Sequence, residues 1–164
     1  MEIERITNIV GFPAYEITSH GRVFNKYGRE MVLTPNTQGE LTVGLVRYGR
    51  QIRFSVKCLV ARHFVKGESD IFNTPIYLDG DVHNLHASNI VWRPRWFAWK
   101  YKRQFITSPA WYTAFRVVDL VDQVEYENIA DAAVKNGLLC YDIFMSIHNE
   151  NVVFPTEQLF TYVL

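Results

Sequence analysis

The sequence predicts an α+β protein with three parts: a small antiparallel β-sheet module with a helix, a ββα core, and a C-terminal module of short strands and two helices. Three observations predict this class. Short alternating apolar and polar runs, interrupted by glycines, fill the first 55 residues. A strand, a loop, a second strand and a helix follow between residues 75 and 103. The remaining segment contains a helix with clear start and stop signals and then a second helix.

The composition indicates a folded protein. The chain has 164 residues, of which 48% are hydrophobic, enough to fill a packed core. No apolar run approaches the ~18 residues that span a bilayer, and the N-terminus lacks the basic start of a signal peptide. We therefore expect a cytoplasmic protein. Cys58 and Cys140 are too few for a disulfide framework or a cysteine zinc site, and we expect both to be buried free thiols.

The net charge is zero, but the charges are divided unevenly along the chain. Residues 1–116 contain 16 Lys and Arg against 9 Asp and Glu, whereas residues 117–164 contain one lysine against 8 acids. The two segments therefore carry charges of +7 and −7. The basic segment is typical of a protein that binds a polyanion, and the acidic one predicts a module with a different partner.

Five short strands are predicted in the first module. Their ranges are 15–18, 22–25, 31–34, 41–47 and 50–55. The last two form a hairpin, because Leu41, Val43 and Leu45 alternate with small or polar residues before Tyr48-Gly49 turns the chain.

Three arginines, Arg47, Arg50 and Arg53, lie around the tip and outer side of this predicted hairpin. Two interpretations remain open. The arginines form a charged edge that discourages pairing with other chains, or they form a ribbon that contacts phosphates. Composition alone does not distinguish them.

A helix is predicted to begin at Val56, with Ser55 as its capping residue. Apolar side chains recur at helical spacing from Val56 to Phe64 and form one stripe. His63 falls on this stripe, and we interpret it as a core histidine.

The next segment predicts a ββα unit. Its strands are 76–78 and 90–92, separated by a polar loop that starts at Asp79. Pro94 then favours the start of a helix. The sequence WRPRWFAWKYKR at 92–103 combines five basic with five aromatic residues, and a helix places Trp96, Trp99 and Arg103 on one side.

The C-terminal module is predicted to contain strands at 115–121 and 123–126 and two helices. Asn128 is a favourable cap, Asp131 occupies the third helical position, and Gly137 can end the helix. A second helix is predicted at 141–148, followed by extended segments at 152–154 and 160–163.

Three blocks of sequence, in this order, resemble the phage and intron HNH homing endonucleases. The first is IVGFPAYEITSHGRVFN with MVLTP, LTVGLVRYGR and VKCLVARHF after it; the second is PIYLDGDVHNLHASNIVW; the third is RVVDLVDQVEYENIADAAVKNGLLCYDIFMSI. They are similar to the family's DNA-binding module, its ββα-metal core and a helix-turn-helix repeat. The resemblance implies domains at 1–66, 67–112 and 113–164, a phage origin, and double-stranded DNA as partner.

The HNH-like core is degenerate at the positions that would carry the chemistry. Asp79 and Asn89 fall in register with the family pattern, but Tyr77 stands where the resemblance implies the general-base histidine. Ile76 and Ala98 stand at metal-ligand positions and offer no oxygen to a cation. We therefore expect no enzymatic activity, no metal and no cofactor.

His83 and His86 lie in the loop between the two strands. A displaced metal site would need a third, correctly placed ligand. We interpret these histidines as part of a solvated loop.

Three functions are open for the chain. The first is a catalytically inactive HNH homologue that binds duplex DNA and regulates it; its candidate phosphate contacts are Arg22, Lys26, Arg47, Arg50, Arg53, Arg93, Arg95, Lys100, Lys102 and Arg103. The second is a subunit or inhibitor that docks on a viral or host complex, such as a polymerase or virion, through residues 117–164. The third is an active nuclease with a rearranged metal site.

Overall fold

The computed structural model describes residues 3–107 and 109–163. These residues form small antiparallel sheets and four α-helices, which confirms the predicted α+β class. The chain divides after Arg95 into two compact units. The division into three modules at residues 66 and 112 stays a prediction. In the described part of the chain, no helix is long and apolar enough to cross a membrane.

The first unit contains two three-stranded antiparallel sheets. They consist of β1 (Ile6–Ile9), β2 (Phe12–Thr18) and β3 (Val23–Asn25), and of β4 (Thr34–Pro35), β5 (Leu41–Arg47) and β6 (Arg50–Ser55). The predicted strand at 31–34 is wrong in its position. The Met31 backbone N–H donates to the Val23 carbonyl at 2.7 Å, so the chain stays beside β3 there and joins β5 only at Thr34.

The predicted hairpin is confirmed with both its strands. Val43 and Leu45 of β5 are fully buried in the core of the first unit. Ile52 shares their face of the hairpin but is 46% exposed, because the end of the ribbon near the turn extends beyond the core.

The helix α1 (Val56–Phe64) begins where predicted. The side chains of Val56, Leu59 and Val60, which belong to its apolar stripe, are buried. The prediction that the Ser55 hydroxyl caps the helix is wrong. Ser55 is still paired with Thr42 as the last residue of β6, so the strand sets the direction of its side chain. The prediction of a core histidine is wrong, because His63 is only half-buried at the edge of the unit. Both ring nitrogens are nevertheless bonded: Nδ1 lies 2.7 Å from the Leu59 carbonyl, and Nε2 accepts from the Val10 backbone N–H at 3.1 Å.

The ββα unit is confirmed, with β7 (Thr74–Tyr77) antiparallel to β8 (Ile90–Arg93) and followed by α2 (Arg95–Thr107). A short 3-10 turn at Ala87–Asn89 leads into β8. Trp92 joins the core of the first unit, and its indole N–H donates to the Val65 carbonyl at 3.1 Å. The side chains of β7 and β8 therefore anchor the loop between them to the core of this unit.

The second unit has a three-stranded sheet in the order β10-β9-β11 and two helices beside it. The elements are β9 (Val117–Asp119), β10 (Val124–Tyr126), α3 (Ile129–Asn136), α4 (Cys140–Asn149) and β11 (Phe160–Tyr162). The extended segment predicted at 152–154 is not a strand. Val153 makes one bridge to Gln158, because the chain turns back between them.

The predicted helix signals of α3 are confirmed. The Asn128 side chain accepts a hydrogen bond from the Asp131 backbone N–H at 2.8 Å, and Gly137 ends the helix with a positive φ of 63°. Both cysteines are free; Cys140 is buried as predicted, whereas Cys58 is only half-buried.

Candidate nucleic-acid interface

The loop between β7 and β8 is closed by a network of amide and carboxylate groups. The Asn89 side chain donates to Asp79 Oδ1 at 2.8 Å and accepts from the Asp79 backbone N–H at 3.1 Å. Asn84 Nδ2 donates to Asp79 Oδ2 at 2.7 Å. Each carboxylate oxygen of Asp79 therefore accepts from a side-chain amide within the loop, and the arrangement holds the loop in shape.

Burial raises the pKa of Asp79, but hydrogen bonds from Asn84 and Asn89 outweigh it, and the pKa lies below its usual value. A carboxylate that accepts several hydrogen bonds is stabilised in its charged form. Asp79 is thus a charged anchor for the loop.

The other degenerate positions are apolar or enclosed. Ile76 and Tyr77 are each 6% exposed on β7, and Ala98 is half-buried on α2. The Tyr77 hydroxyl is buried without a hydrogen-bond partner among the residues that the structure describes. Burial raises the pKa of Tyr77, so this phenol holds its proton more tightly than an exposed tyrosine does.

The two loop histidines differ in their surroundings. His83 is exposed, whereas the ring of His86 packs on His20 with a centroid distance of 4.1 Å. His86 Nδ1 lies 2.7 Å from the Ser88 hydroxyl. Within residues 3–107 and 109–163, no three His, Cys, Asp or Glu side chains are grouped so that they could hold a metal ion.

The three hairpin arginines lie on two different faces. Arg47 on β5 and Arg50 on β6 form a direct cross-strand pair, so their side chains share one face, whereas Arg53 is paired with Gly44 and points to the other. All three are exposed. Arg53 donates to the hydroxyl of Thr34, which ties β6 to β4. The three arginines therefore form a pair at the tip and a separate arginine on the other face, and their contact with phosphate stays a prediction.

Arg22 and Lys26 flank the short strand β3. Arg22 makes a bidentate ion pair with Glu4, and its Nε donates at 3.1 Å. Hydrogen bonds and charge from Arg22 lower the pKa of Glu4 to about 2. Lys26 is exposed, with its ammonium 4.9 Å from the centre of the Tyr27 ring. The charge of Arg22 is therefore balanced by Glu4, whereas Lys26 makes no ion pair with the described residues.

The basic residues near and on α2 are not equivalent. Arg93 is only 9% exposed, and its guanidinium donates to the Trp92 carbonyl at 2.9 Å, so the prediction that it contacts phosphate does not fit its burial. Four basic residues of α2 are exposed: Arg95, Lys100, Lys102 and Arg103. Lys100 lies over the Trp96 ring at 5.4 Å and Arg103 over the Trp99 ring at 4.7 Å, so this helix presents cations on aromatic surfaces.

Several acids of the C-terminal segment have a hydrogen-bond or ion-pair partner inside the second unit. Asp119 is fully buried and accepts from Gln158 Nε2 at 2.8 Å. Arg116 pairs with Glu125, and Lys135 pairs with Asp131 at 2.8 Å. Four acids are exposed and make no ion pair with the residues that the structure describes: Asp122, Glu127, Glu150 and Glu157.

A search of solved structures finds the HNH homing endonuclease I-HmuI, in a structure described as DNA binding and cleavage by that enzyme. The two chains share 21% sequence identity with a TM-score of 0.58, and the similarity covers 98% of each chain. The chain has an HNH homing endonuclease-like fold. No protein-family model matches the chain, and no curated protein matches it significantly.

This similarity confirms the part of the resemblance that concerns the fold, and it extends over nearly the full chain. Two residues that matter in the second unit carried no sequence signal. Gln104 of α2 bonds to the backbone on both sides of the turn before α4, and Tyr141 lies exposed at the start of α4. Gln104 belongs to no motif, and Tyr141 lies in the third sequence block without any feature that marks it as a site residue.

Proposed function

We propose that the chain is an HNH-fold protein that binds double-stranded DNA without cleaving it. In this proposal it acts as a regulator in the cytoplasm of a host cell, encoded by a phage. The observation that carries the proposal is the cross-strand pair of Arg47 and Arg50 at the tip of the hairpin. Both are exposed, and neither makes an ion pair with the part of the chain that the structure describes.

Like charges directly opposite each other on a sheet are destabilising. A phosphate group placed between two guanidinium groups would remove this repulsion and accept hydrogen bonds from both. Tyr48 lies beside the pair, with Arg47 over its ring at 5.0 Å, and adds a rigid aromatic surface to the tip. These features favour a nucleic-acid backbone as the partner of the hairpin.

The absence of cleavage in this proposal rests on chemistry at the degenerate positions. Ile76 and Ala98 have no atom that binds a hard cation, and burial keeps Tyr77 protonated. The carboxylate of Asp79 is already held by Asn84 and Asn89. In contrast, HNH-type hydrolysis needs a base for water and a cation at the leaving oxygen.

Fluorescence anisotropy with a labelled duplex of mixed sequence tests binding. The logarithm of the association constant should fall linearly with the logarithm of the salt concentration, because each neutralised phosphate contributes about 0.9 to the slope. Duplex binding that is weak at low salt, or that does not respond to salt, would reject the proposal.

A second candidate is a protein-docking role for residues 117–164. The four exposed acids without ion pairs in the described chain favour it, because a phosphate backbone would repel them whereas a basic protein surface, such as one on a polymerase or virion, would not. A pull-down with and without nuclease treatment separates the two functions. Partners that remain after DNA digestion and need residues 117–164 would support docking.

The third candidate, an active nuclease with a rearranged site, has no specific support in the described residues. Cleavage lost on His83→Ala or His86→Ala would establish it.

A further inference from the structure

A cleft lies within the second unit, between α2 and the start of α4. Its volume is about 320 Å³, which is within the range of small-ligand sites. The side chains that matter for its chemistry are Trp99, Lys100, Arg103, Gln104, Tyr141 and Asp142. The proposed duplex binding does not use Trp99 or Tyr141.

Gln104 fixes the two walls of this cleft against each other. From α2 its Oε1 accepts from the Cys140 backbone N–H at 3.0 Å, and its Nε2 donates to the Leu138 carbonyl at 3.2 Å. Both amide ends therefore bond to the turn that begins α4. Such a clamp keeps the cleft open and preorganised, which lowers the entropy lost on binding.

Flat aromatic surfaces line the cleft and stay in contact with water. Trp99 is 61% exposed and Tyr141 is 60% exposed. The Arg103 guanidinium lies 4.7 Å from the centre of the Trp99 ring. An aromatic ring beside a cation is the combination that stacks nucleobases in single-stranded nucleic-acid sites.

The charges of the cleft distinguish a nucleotide from a simple anion. Lys100 and Arg103 supply two positive charges, but Asp142 lines the same cleft. Burial raises the pKa of Asp142, and Lys100 opposes this shift. A carboxylate repels a bare phosphate, whereas it accepts a hydrogen bond from the exocyclic amino group of a base such as cytosine.

We propose that this cleft binds an unstacked nucleotide of single-stranded DNA. The base stacks on Trp99 and Tyr141, Asp142 accepts from its amino group, and Lys100 with Arg103 binds the neighbouring phosphate. This site goes beyond the proposed duplex binding, because a base inside a duplex is not free to stack on protein side chains.

The test uses the full chain and fluorescein-labelled oligo-dC and oligo-dT of about 12 nucleotides, a length within the range of known single-strand sites. The variant Trp99→Leu with Tyr141→Leu should bind oligo-dC at least about tenfold more weakly, because base stacking is a large part of such affinity. Phe105→Leu is the matched control: Phe105 is on the same helix, 43% exposed, and packs on Tyr101 without lining the cleft. The control should keep the affinity of the wild type.

Two further measurements sharpen the result. Asp142→Asn should reduce the preference for oligo-dC over oligo-dT, because a carboxylate is a better acceptor for the cytosine amino group. Photo-crosslinking of the wild type to an oligonucleotide with one 5-iodouracil should label Trp99 or Tyr141, and it needs no variant to fold.

Unchanged oligo-dC affinity in the folded double variant, or crosslinks located only outside the cleft, would overturn the proposal. Duplex affinity is measured in parallel for Tyr141→Leu alone, because Arg103, a candidate duplex contact, lies over the Trp99 ring. It should equal that of the wild type, and loss of duplex binding in Tyr141→Leu would overturn a separate single-strand site. A wild type that binds oligo-dC but no duplex would reject the proposed function and leave this inference standing.

Discussion

Arg47 and Arg50 face each other across the closed end of the β5–β6 hairpin as a direct pair of like charges. In the described chain neither has a carboxylate partner, and both are exposed. The neighbouring turn residue Tyr48 adopts a positive φ of 50°, which side chains other than glycine rarely do. Repulsion and an unfavourable backbone conformation therefore occur together at the tip, where we propose that a phosphate binds.

Removal of this arginine pair should have opposite effects on stability and on binding. Arg47→Ala with Arg50→Ala should raise the free energy of unfolding by a few tenths of a kcal/mol, because a repulsive cross-strand pair is lost. The same variant should weaken duplex binding and make the salt slope shallower by about two units. Urea unfolding and anisotropy titrations measure the two quantities.

Arg53→Ala is the matched control for this variant. Arg53 is on the same hairpin but bonds to Thr34, so its loss should lower stability and leave the salt slope less affected. An arginine pair that can be removed without change in affinity and slope would contradict the proposed role of the hairpin tip.

Glu4→Gln should strengthen duplex binding. Glu4 now holds the guanidinium of Arg22 in a bidentate pair, and a neutral amide would release this positive charge for a phosphate. We expect higher affinity and a salt slope steeper by about one unit. Glu16→Gln is a suitable control, because it makes the same change in net charge on the neighbouring strand β2. Equal effects of both variants would mean that only net charge matters.

The same ion pair predicts an acid-dependent loss of stability. Arg22 lowers the pKa of Glu4 to about 2 in the folded chain, from an ordinary value of about 4.5. A lowered pKa stabilises the folded state above the unfolded value, and the stabilisation is lost as the pH falls from about 4.5 through the folded pKa. In Arg22→Ala this part of the acid sensitivity should disappear. Urea unfolding across that pH range is the measurement, and identical pH profiles of the two proteins would count against the pair.

Tyr77→Phe should be tolerated or stabilising. Its hydroxyl is buried and has no hydrogen-bond partner among the described residues, and a buried polar group without a partner costs about 1–3 kcal/mol. The ring itself remains useful, since the Lys57 ammonium lies 4.7 Å from its centre. Thermal unfolding checks this, and Tyr77→Leu, which removes the ring, should destabilise. A destabilised Phe variant would show that the hydroxyl is bonded after all.

Local patterns predicted much of the fold, because strand alternation and helix caps act over a few residues. Asn128 and Gly137 mark the ends of α3 as expected, and the hairpin strands match the sequence pattern. Ser55 shows the limit: its type fits a cap, but its place at the end of β6 directs the hydroxyl elsewhere. A residue type indicates what a side chain can do, and the fold decides whether it does.

The candidate sites were less predictable, because their contacts join distant parts of the chain. The pairing of Arg22 with Glu4 spans 18 residues, and the bond from Gln104 to Leu138 spans 34. No sequence period reports such pairs. The burial of Arg93 is a similar case, since a count of basic residues treats it as equal to exposed Lys102.

A plasmid assay tests the central claim, binding without cleavage, most directly. Supercoiled plasmid is incubated with the full chain and Mg²⁺, Mn²⁺ or Zn²⁺ at low salt, and half of each sample is treated with protease before electrophoresis. The predicted result is a retarded plasmid that returns to the supercoiled position once the protein is digested. Plasmid that runs as nicked or linear DNA after digestion, or that is never retarded, would contradict the claim.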